Sequence, residues 1–254
     1  MSDPFFQRAW RKLRTIGALT YYAGILPIIR IPTLLPFVFA TPFTILFILF
    51  VTGRGDAIIY GLAGAMAMTV AQQGLILGAD LTSFKIEHKF QAMVVASPVS
   101  AMTYMVAVAL SELAFASPPL IILLIIIGYT VAGITAVSLL EILGVILLTW
   151  ITTSSIGFFL STYVLNTRTA FITISFLSIL VSVLPPVFYP IQVIPSQFRW
   201  LAELVPTTHA SILLQNAIGI QVNASQLTLS WLALPALTVA FLSLALFKAR
   251  WREP

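Results

Sequence analysis

The stretch Asp80-Leu-Thr-Ser-Phe-Lys-Ile-Glu-His-Lys-Phe-Gln-Ala-Met-Val-Val-Ala-Ser-Pro98 interrupts a sequence that is otherwise strongly apolar. At about 100° per residue, one face of the stretch is apolar and the remainder is polar. The apolar face carries Ile86, Phe90, Met93 and Val94, and the remainder carries Lys85, Glu87, His88, Lys89 and Gln91. Asp80, Thr82 and Ser83 are suitable N-caps, and Pro98 predicts an end near Ser97. The sequence therefore predicts an amphipathic helix over 80–98, whose simplest role is to join two membrane spans.

Phe84 lies among the polar side chains of this predicted helix rather than on its apolar face. An aromatic ring contributes to stability when apolar atoms cover it. With no lipid or core beside it, Phe84 is expected to enter a pocket of a partner protein.

The composition is that of a polytopic membrane protein. Hydrophobic residues make up 59% and charged residues 8% of the 254 residues, and the mean hydropathy is +1.04, far from the balance of a soluble domain. A net charge of +5 would suggest nucleic acid as the partner of a soluble protein. In a membrane protein the basic residues report orientation instead, so no nucleic-acid partner is expected.

Six apolar runs are long enough to cross a bilayer, which takes about 20 residues. They cover 31–52, 57–78, 101–127, 131–164, 170–188 and 227–247. The fourth is longer than a bilayer requires, so a tilt, or a break near the hydroxyl cluster at 152–155, is expected. The sequence predicts an all-α membrane protein with a single transmembrane domain over 1–254 and six transmembrane helices.

Residues 4–17 predict an amphipathic helix that lies in the membrane interface. Its apolar side holds Phe5, Phe6, Ala9, Trp10, Leu13 and Ile16, and its other side holds Gln7, Arg8, Arg11, Lys12, Arg14 and Thr15. A basic helix of this kind rests among lipid headgroups rather than spanning the bilayer. Trp10, Arg11 and Arg14 are the predicted interface residues, facing either membrane lipid or an acidic patch on another protein.

The lysines and arginines predict the orientation. With the N-terminus in the cytosol, all of the 13 basic residues except Arg54 and Arg199 fall in cytosolic segments. Because positive charge favours the cytosolic side, both termini and the helix over 80–98 are expected in the cytosol. The expected location is the plasma membrane, as a multi-pass protein.

The run Pro185-Pro-Val-Phe-Tyr-Pro-Ile-Gln-Val-Ile-Pro195 is too apolar for a loop in water and too rich in proline to continue a helix. Two short helices are predicted after it, over 196–205 and 208–218, with Pro206 as the break. We expect the whole segment, 185–219, to form a re-entrant helical hairpin in the outer leaflet. Such a hairpin must be buried against protein or line a cavity.

Glu112 and Glu141 lie inside predicted spans, each about 15 Å from a span end at 1.5 Å per residue. Carboxyl groups in a bilayer are costly and face a bundle interior, a polar path or each other. Two interpretations stay open. One is a polar contact in a translocation path or a proton-linked switch, and the other is a protonated carboxyl that hydrogen-bonds to a neighbouring helix.

The chain shows no pattern for catalysis or for holding ATP. None of its lysines follows a glycine, so the Gly-x-x-x-x-Gly-Lys-Ser/Thr loop that cradles ATP phosphates does not occur. His88 and His209 fall on opposite sides of the predicted membrane, so they cannot share a metal ion. No catalytic residue, cofactor or metal is therefore expected in this chain, and any energy source must lie in another subunit.

Three features together resemble the permease subunit of ABC transporters of the ABC-2 type. One is the charged helix that closes on Ala96-Ser97-Pro98. The most specific is Pro186-Val-Phe-Tyr-Pro190 followed by Ile194-Pro195, Phe198-Arg199-Trp200-Leu201 and Val205-Pro206-Thr207-Thr208-His209, which looks like the outer hairpin of the family. The third is the order of parts, from a basic amphipathic helix through the spans to a short basic C-terminus. The predicted helix departs from the family at Lys89 and Ala92, where the family often has a glycine and an acid.

The resemblance implies a half-transporter: a permease homodimer with two separate ATPase subunits, which bind ATP and Mg²⁺. It makes 80–98 a coupling helix seated in a groove of the ATPase, and the residues expected to meet the motor are Phe84, Lys85, Glu87, His88 and Lys89. Phe188, Tyr189 and Arg199 of the hairpin are expected to act as the exit gate. The expected cargo is amphipathic or lipid-like, such as a drug or a lipid-linked glycan, because the spans are apolar and carry two carboxyls.

Two alternatives stay open. A polysaccharide or lipid exporter of the same fold would need a wider cavity with aromatic rings along it. A motor-free channel or membrane-embedded enzyme would have no ATPase partner. It would also need polar residues clustered at one depth, beyond Glu112 and Glu141, and the sequence does not show such a cluster.

Overall fold

The computed structural model describes residues 4–53, 57–86, 96–97, 99–131, 133–164, 166–183 and 185–248. The fold is an all-helical membrane bundle, as the sequence predicts. Within the described residues, five helices are long and apolar enough to cross a membrane. The fifth predicted span, 170–188, instead forms a 17-residue apolar helix, Thr167–Val183.

The N-terminal helix is longer than predicted. Helix α1 spans Pro4–Thr20, runs directly into a π-helical turn at Tyr21–Ile25 and continues as helix α2, Leu26–Arg30. The predicted end at residue 17 is wrong because one glycine in a helix costs only about 1 kcal/mol. A 3₁₀ turn at Pro32–Leu34 then leads into the first span.

The remaining helices follow the predicted order with altered ends. They are α3 (Leu35–Thr52), α4 (Ala57–Ile86), α5 (Ala101–Thr130), α6 (Ala136–Ser161), α7 (Thr167–Val183), α8 (Arg199–Glu203), α9 (Pro206–Ala217) and α10 (Ala224–Lys248). The largest change is in α4, which continues well past the predicted end at residue 78.

Helix α4 forms the centre of the bundle, and it packs against α3, α5, α6, α7 and α9. Its most apolar window has a mean hydropathy of 1.3 and is 89% buried, whereas that of α3 reaches 2.4 and is 6% buried. The least apolar span is thus the one shielded from lipid, as expected when polar groups are costly in hydrocarbon.

Helix α6 is continuous, so of the two expected alternatives, a tilt or a break near 152–155, the break does not occur. The hydroxyls of Thr152 and Thr153 donate to the carbonyls of Leu148 and Thr149 at 2.7 and 2.8 Å, which satisfies them without bending the backbone. The excess length of the run is removed instead at its start. The Thr135 hydroxyl accepts from the Ser138 amide at 3.1 Å and caps α6 there.

The hairpin after α7 folds back into the bundle. As predicted, two short helices follow the proline-rich run; the break falls at Val205, and Pro206 becomes the first residue of α9. Helix α9 is buried from Pro206 to Gln215, which matches the expected burial against protein. Gly219, at φ +93°, ends it in a conformation that side chains disfavour.

Candidate functional site

The predicted coupling helix does not begin at Asp80. Helix α4 runs through that position to Ile86, so Asp80, Thr82 and Ser83 are helix-interior residues rather than caps. The Thr82 hydroxyl donates to the Gly78 carbonyl at 2.8 Å, as threonine does inside a helix. Nothing between 78 and 86 breaks the helix, so the change from apolar to charged sequence marks no structural boundary.

Phe84 finds apolar surroundings within its own chain. The ring is half-buried and packs against the main hydrophobic core, which includes Leu81 and, on α5, Tyr104 and Met105. The argument that Phe84 needs a pocket of a partner is therefore wrong, because α5 lies beside this part of α4. Lys85 is half-buried, and Glu87, His88 and Lys89 lie outside the described residues.

The carboxyl groups of Asp80 on α4 and Glu112 on α5 share a hydrogen bond. Glu112 is only 3% exposed, whereas Asp80 is half-buried. A carboxylate only accepts hydrogen bonds, so one of the two groups must carry a proton while this contact exists. Sequence reasoning missed Asp80 as the partner of Glu112, although an acidic residue at the edge of an apolar run was a signal.

Further elements meet α5 close to Glu112. The Thr20 hydroxyl donates to the Ala107 carbonyl at 3.0 Å, and the Trp150 indole donates to the Ala109 carbonyl at 3.1 Å. Gly24 of the π-helical turn packs so closely that a Cβ there would lie 2.7 Å from the Ser111 Cα. We call residues 107–112 the Glu112 junction, since they connect α5 to the N-terminal segment, α4 and α6.

Glu141 lies closer to the start of its helix than predicted. It is half-buried on α6, five residues after Ala136 and thus about 7.5 Å from the helix start at 1.5 Å per residue. The sequence had placed it deeper, because residues 131–135 were counted as helix. The carboxyl that meets Glu112 is that of Asp80, not that of Glu141.

A groove of about 240 Å³ lies between α3, α4 and α7. Its polar lining consists of Thr41, Thr69, Gln72, Gln73, Ser175 and Ser178, and its apolar lining of Phe37, Val38, Ile76 and Ile179. Phe37 is 82% and Ile179 54% exposed, so the groove opens at the surface of the chain. Sequence reasoning missed this polar cluster, for which two adjacent glutamines in an apolar span were the available signal.

The predicted gate residues lie at the other end of α4 from Ile86. Phe188 packs on Gly64, where a Cβ would come within 2.6 Å of the ring, and Gly64 is about 33 Å from Ile86 along the helix. Arg199 donates from Nε to the Ile194 carbonyl at 2.9 Å and from Nη2 to the Gln192 carbonyl at 3.2 Å. Tyr189, the residue after Phe188 in the sequence, is half-buried.

His209 joins three helices at the base of the hairpin. Its Nε2 lies 2.7 Å from the Glu203 carbonyl of α8, and its Nδ1 lies 3.2 Å from the Ser230 hydroxyl of α10. Since a carbonyl only accepts, Nε2 carries the proton, and Nδ1 of the neutral ring accepts from Ser230. Burial lowers the pKa of His209, and the contact with Glu203 opposes that effect.

The predicted interface residues of α1 are accessible. Trp10 is 63% exposed, and Arg11 and Arg14 are also exposed. An exposed tryptophan beside exposed cations is the pattern of a helix at the headgroup level.

Comparison with protein families identifies one relationship. Residues 6–218 match the family described as ABC-2 type transporter, so the match covers the helices from α1 to α9. A comparison with curated proteins gives no match.

Proposed function

The chain belongs to the ABC-2 type transporter family, and from that premise we propose that it exports an amphipathic or lipid-like molecule. It is a multi-pass membrane protein and the permease component of the transporter rather than its ATPase. Export, the nature of the cargo, the homodimer, the plasma-membrane location and the cytosolic termini are parts of the proposal.

The groove between α3, α4 and α7 is the observation that carries the proposal. Gln72 and Gln73 lie near the middle of α4, where a polar amide is costly unless it serves a contact. Here they line a groove together with hydroxyls from α3 and α7, and Phe37 and Ile179 line the same groove. A molecule with polar and apolar parts complements such a surface, whereas a highly charged solute meets no opposite charge in it.

The exposed rim of the groove supports a homodimer. Phe37 and Ile179 face outward beside the polar lining, and a groove that opens at the protein surface encloses a ligand only when something covers it. A second copy of the chain, placed with its own groove opposite, would complete a cavity with a mixed polar and apolar lining. Phe37 is the one aromatic side chain among the lining residues, which favours a small amphipathic cargo over a polysaccharide.

The segment between α4 and α5 is the proposed contact with the motor. This segment is predicted to face the cytosol and carries the charged or polar residues Lys85, Glu87, His88 and Lys89. These side chains provide a surface that an ATPase subunit could bind. Motion of this segment would pass into α4, whose other end packs on Phe188 of the proposed exit gate. The central position of α4 makes it the element best placed to transmit that motion.

Co-purification tests the motor contact. Native membranes carrying the tagged chain should yield an ATP-hydrolysing subunit, and Lys85→Glu with Lys89→Glu should reduce its recovery and the stimulated ATP hydrolysis. Arg168→Glu is the control, since Arg168 is an exposed cation on the same predicted side outside the segment. Equal recovery in the double variant would contradict this contact, and recovery of no ATPase at all would favour a motor-free channel.

Direction and cargo need a transport assay. In inside-out vesicles containing the permease with its ATPase, ATP should drive a lipophilic dye or a fluorescent phospholipid into the lumen. Gln72→Leu and Gln73→Leu should reduce this accumulation without reducing recovery of the ATPase. Accumulation in right-side-out vesicles instead would show import.

A further inference from the structure

Asp80 and Glu112 link the two helices that lead into and out of the segment between α4 and α5. Asp80 lies about 9 Å before Ile86 and Glu112 about 16 Å after Ala101, at 1.5 Å per residue. The pair is therefore placed to fix how the ends of α4 and α5 stand relative to each other.

Apolar side chains of both helices pack close to this pair. Leu81 and Phe84 of α4 share a hydrophobic cluster with Tyr104, Met105 and Val108 of α5. Apolar contacts are non-directional, so they tolerate a small slide of one helix along the other. A hydrogen bond depends on distance and angle and does not tolerate it. The carboxyl pair thus adds a directional contact that favours one register of α4 against α5.

The hydrogen bond exists only while the pair holds a proton. Two ionised carboxylates accept but do not donate, and at close range in a poorly hydrated interior they repel. Loss of the proton therefore replaces attraction between α4 and α5 by repulsion. Glu112 is almost fully enclosed, and Asp80 retains exposed surface, so Asp80 is the member that can exchange the proton.

Each carboxyl of the pair is the other's principal charged neighbour. The elements packed around the pair carry these further titratable or charged side chains: Arg11, Lys12 and Arg14 on α1, Tyr21 and Tyr22 on the π-helical turn, Lys85 on α4, Tyr104 on α5, Glu141 on α6 and the exposed Arg168 on α7. The cations of α1 are exposed, and Trp150, the α6 residue at the Glu112 junction, does not titrate.

We propose that Asp80 and Glu112 are positioning residues whose shared proton holds α4 in register with α5, and whose deprotonation changes that register. This inference rests on the proposed function for its consequence, because the ends of α4 and α5 flank the proposed contact with the motor. The register change itself is a property of this chain alone.

The natural absence of cysteine allows a direct measurement. Ile86→Cys and Met102→Cys introduce two sites for spin labels at the ends of α4 and α5, where the native side chains are 40% and 48% exposed. Pulsed electron paramagnetic resonance on the full chain in lipid vesicles then reports the distance between them. Spectra are taken between about pH 4 and about pH 9, a range that spans ordinary carboxyl titration and extends above it.

The labelled chain should show two distance populations whose ratio changes with pH. Glu112→Gln and Asp80→Asn, each of which supplies an amide donor that needs no added proton, should keep the low-pH distance throughout. Glu141→Gln is the matched control, a half-buried glutamate on α6, and should retain the pH response. Two variants are used so that misfolding of one leaves the other informative.

A distance independent of pH in the labelled native background, or an unchanged pH response in both amide variants, would overturn the proposal. The outcome is separate from that of the ATPase co-purification. A pH-dependent register without an ATPase partner would reject the motor contact and keep the positioning pair. An ATPase partner together with a pH-independent register would keep the motor contact and reject the positioning pair.

Discussion

Gly74 on α4 and Gly157 on α6 touch backbone to backbone. A Cβ on Gly157 would lie 2.7 Å from the carbonyl oxygen of Gly74 and 2.8 Å from that of Leu75. Gly78, four residues after Gly74, meets Gly157 in the same way. This is the close crossing that small residues at four-residue spacing permit in membranes, and it seats the central helix against α6.

Gly157→Ala should destabilise the protein because the added methyl group meets backbone atoms that cannot rotate away. Overpacking of this kind costs about 1–3 kcal/mol, which should lower the midpoint of thermal unfolding in detergent. Gly144→Ala is the control on the same helix, since nothing lies within 4 Å of its Cβ position. That variant should be neutral or gain up to about 1 kcal/mol from helix propensity. Equal effects of the two would contradict the close crossing.

Gly64→Ala should disturb the hairpin, because its Cβ would come within 2.6 Å of both the Phe188 ring and the Val187 carbonyl. Transport should fall more than ATPase recovery, since the change lies far from the proposed motor contact. Gly61→Ala is the comparison: its nearest contacts are the flexible side-chain ends of Leu49 and Leu46 at 2.9 and 3.1 Å. A larger loss of transport in Gly61→Ala would argue against a role for the Gly64 contact.

The stability of the hairpin should decrease as the pH falls below about 6.5, the ordinary pKa of histidine. Burial lowers the pKa of His209, so the unfolded chain binds a proton at that position before the folded chain does, and acid therefore favours unfolding. Thermal unfolding of native protein and His209→Gln, followed from about pH 8 to about pH 5.5, should show a weaker pH dependence in the variant. Ser230→Ala, which retains the imidazole, should keep the pH dependence. If native and His209→Gln protein lose stability equally as the pH falls, His209 is not the source of the pH dependence.

Trp150→Phe should destabilise the Glu112 junction by about 1 kcal/mol, because it removes the hydrogen bond to the Ala109 carbonyl in a buried site. Trp200→Phe is the control, since Trp200 is 58% exposed and surface substitutions usually stay within about 0.5 kcal/mol. The free energy of unfolding of each variant is measured by chemical unfolding in detergent. A loss confined to Trp200→Phe would show that the junction is not stabilised by the Trp150 indole.

Hydropathy and periodicity along the sequence determined the membrane class, the amphipathic N-terminal helix, the approximate spans and the two short helices around Pro206. These properties are local, since a side chain's cost in lipid and a proline's missing amide do not depend on which helix lies beside it. The proline-rich run around Phe188 also carried enough information to indicate the family.

Tertiary structure alone decided which residues meet. Glu112 gained Asp80 as its partner, Phe84 gained a core, and Gln72 and Gln73 joined hydroxyls from α3 and α7 in one groove. Even the extent of α4 escaped prediction, because charge at residue 80 suggested an exit from the membrane while the helix simply continued. Each of these facts depends on the rotation and register of neighbouring helices, which close contacts such as Gly74 with Gly157 set across long separations in sequence.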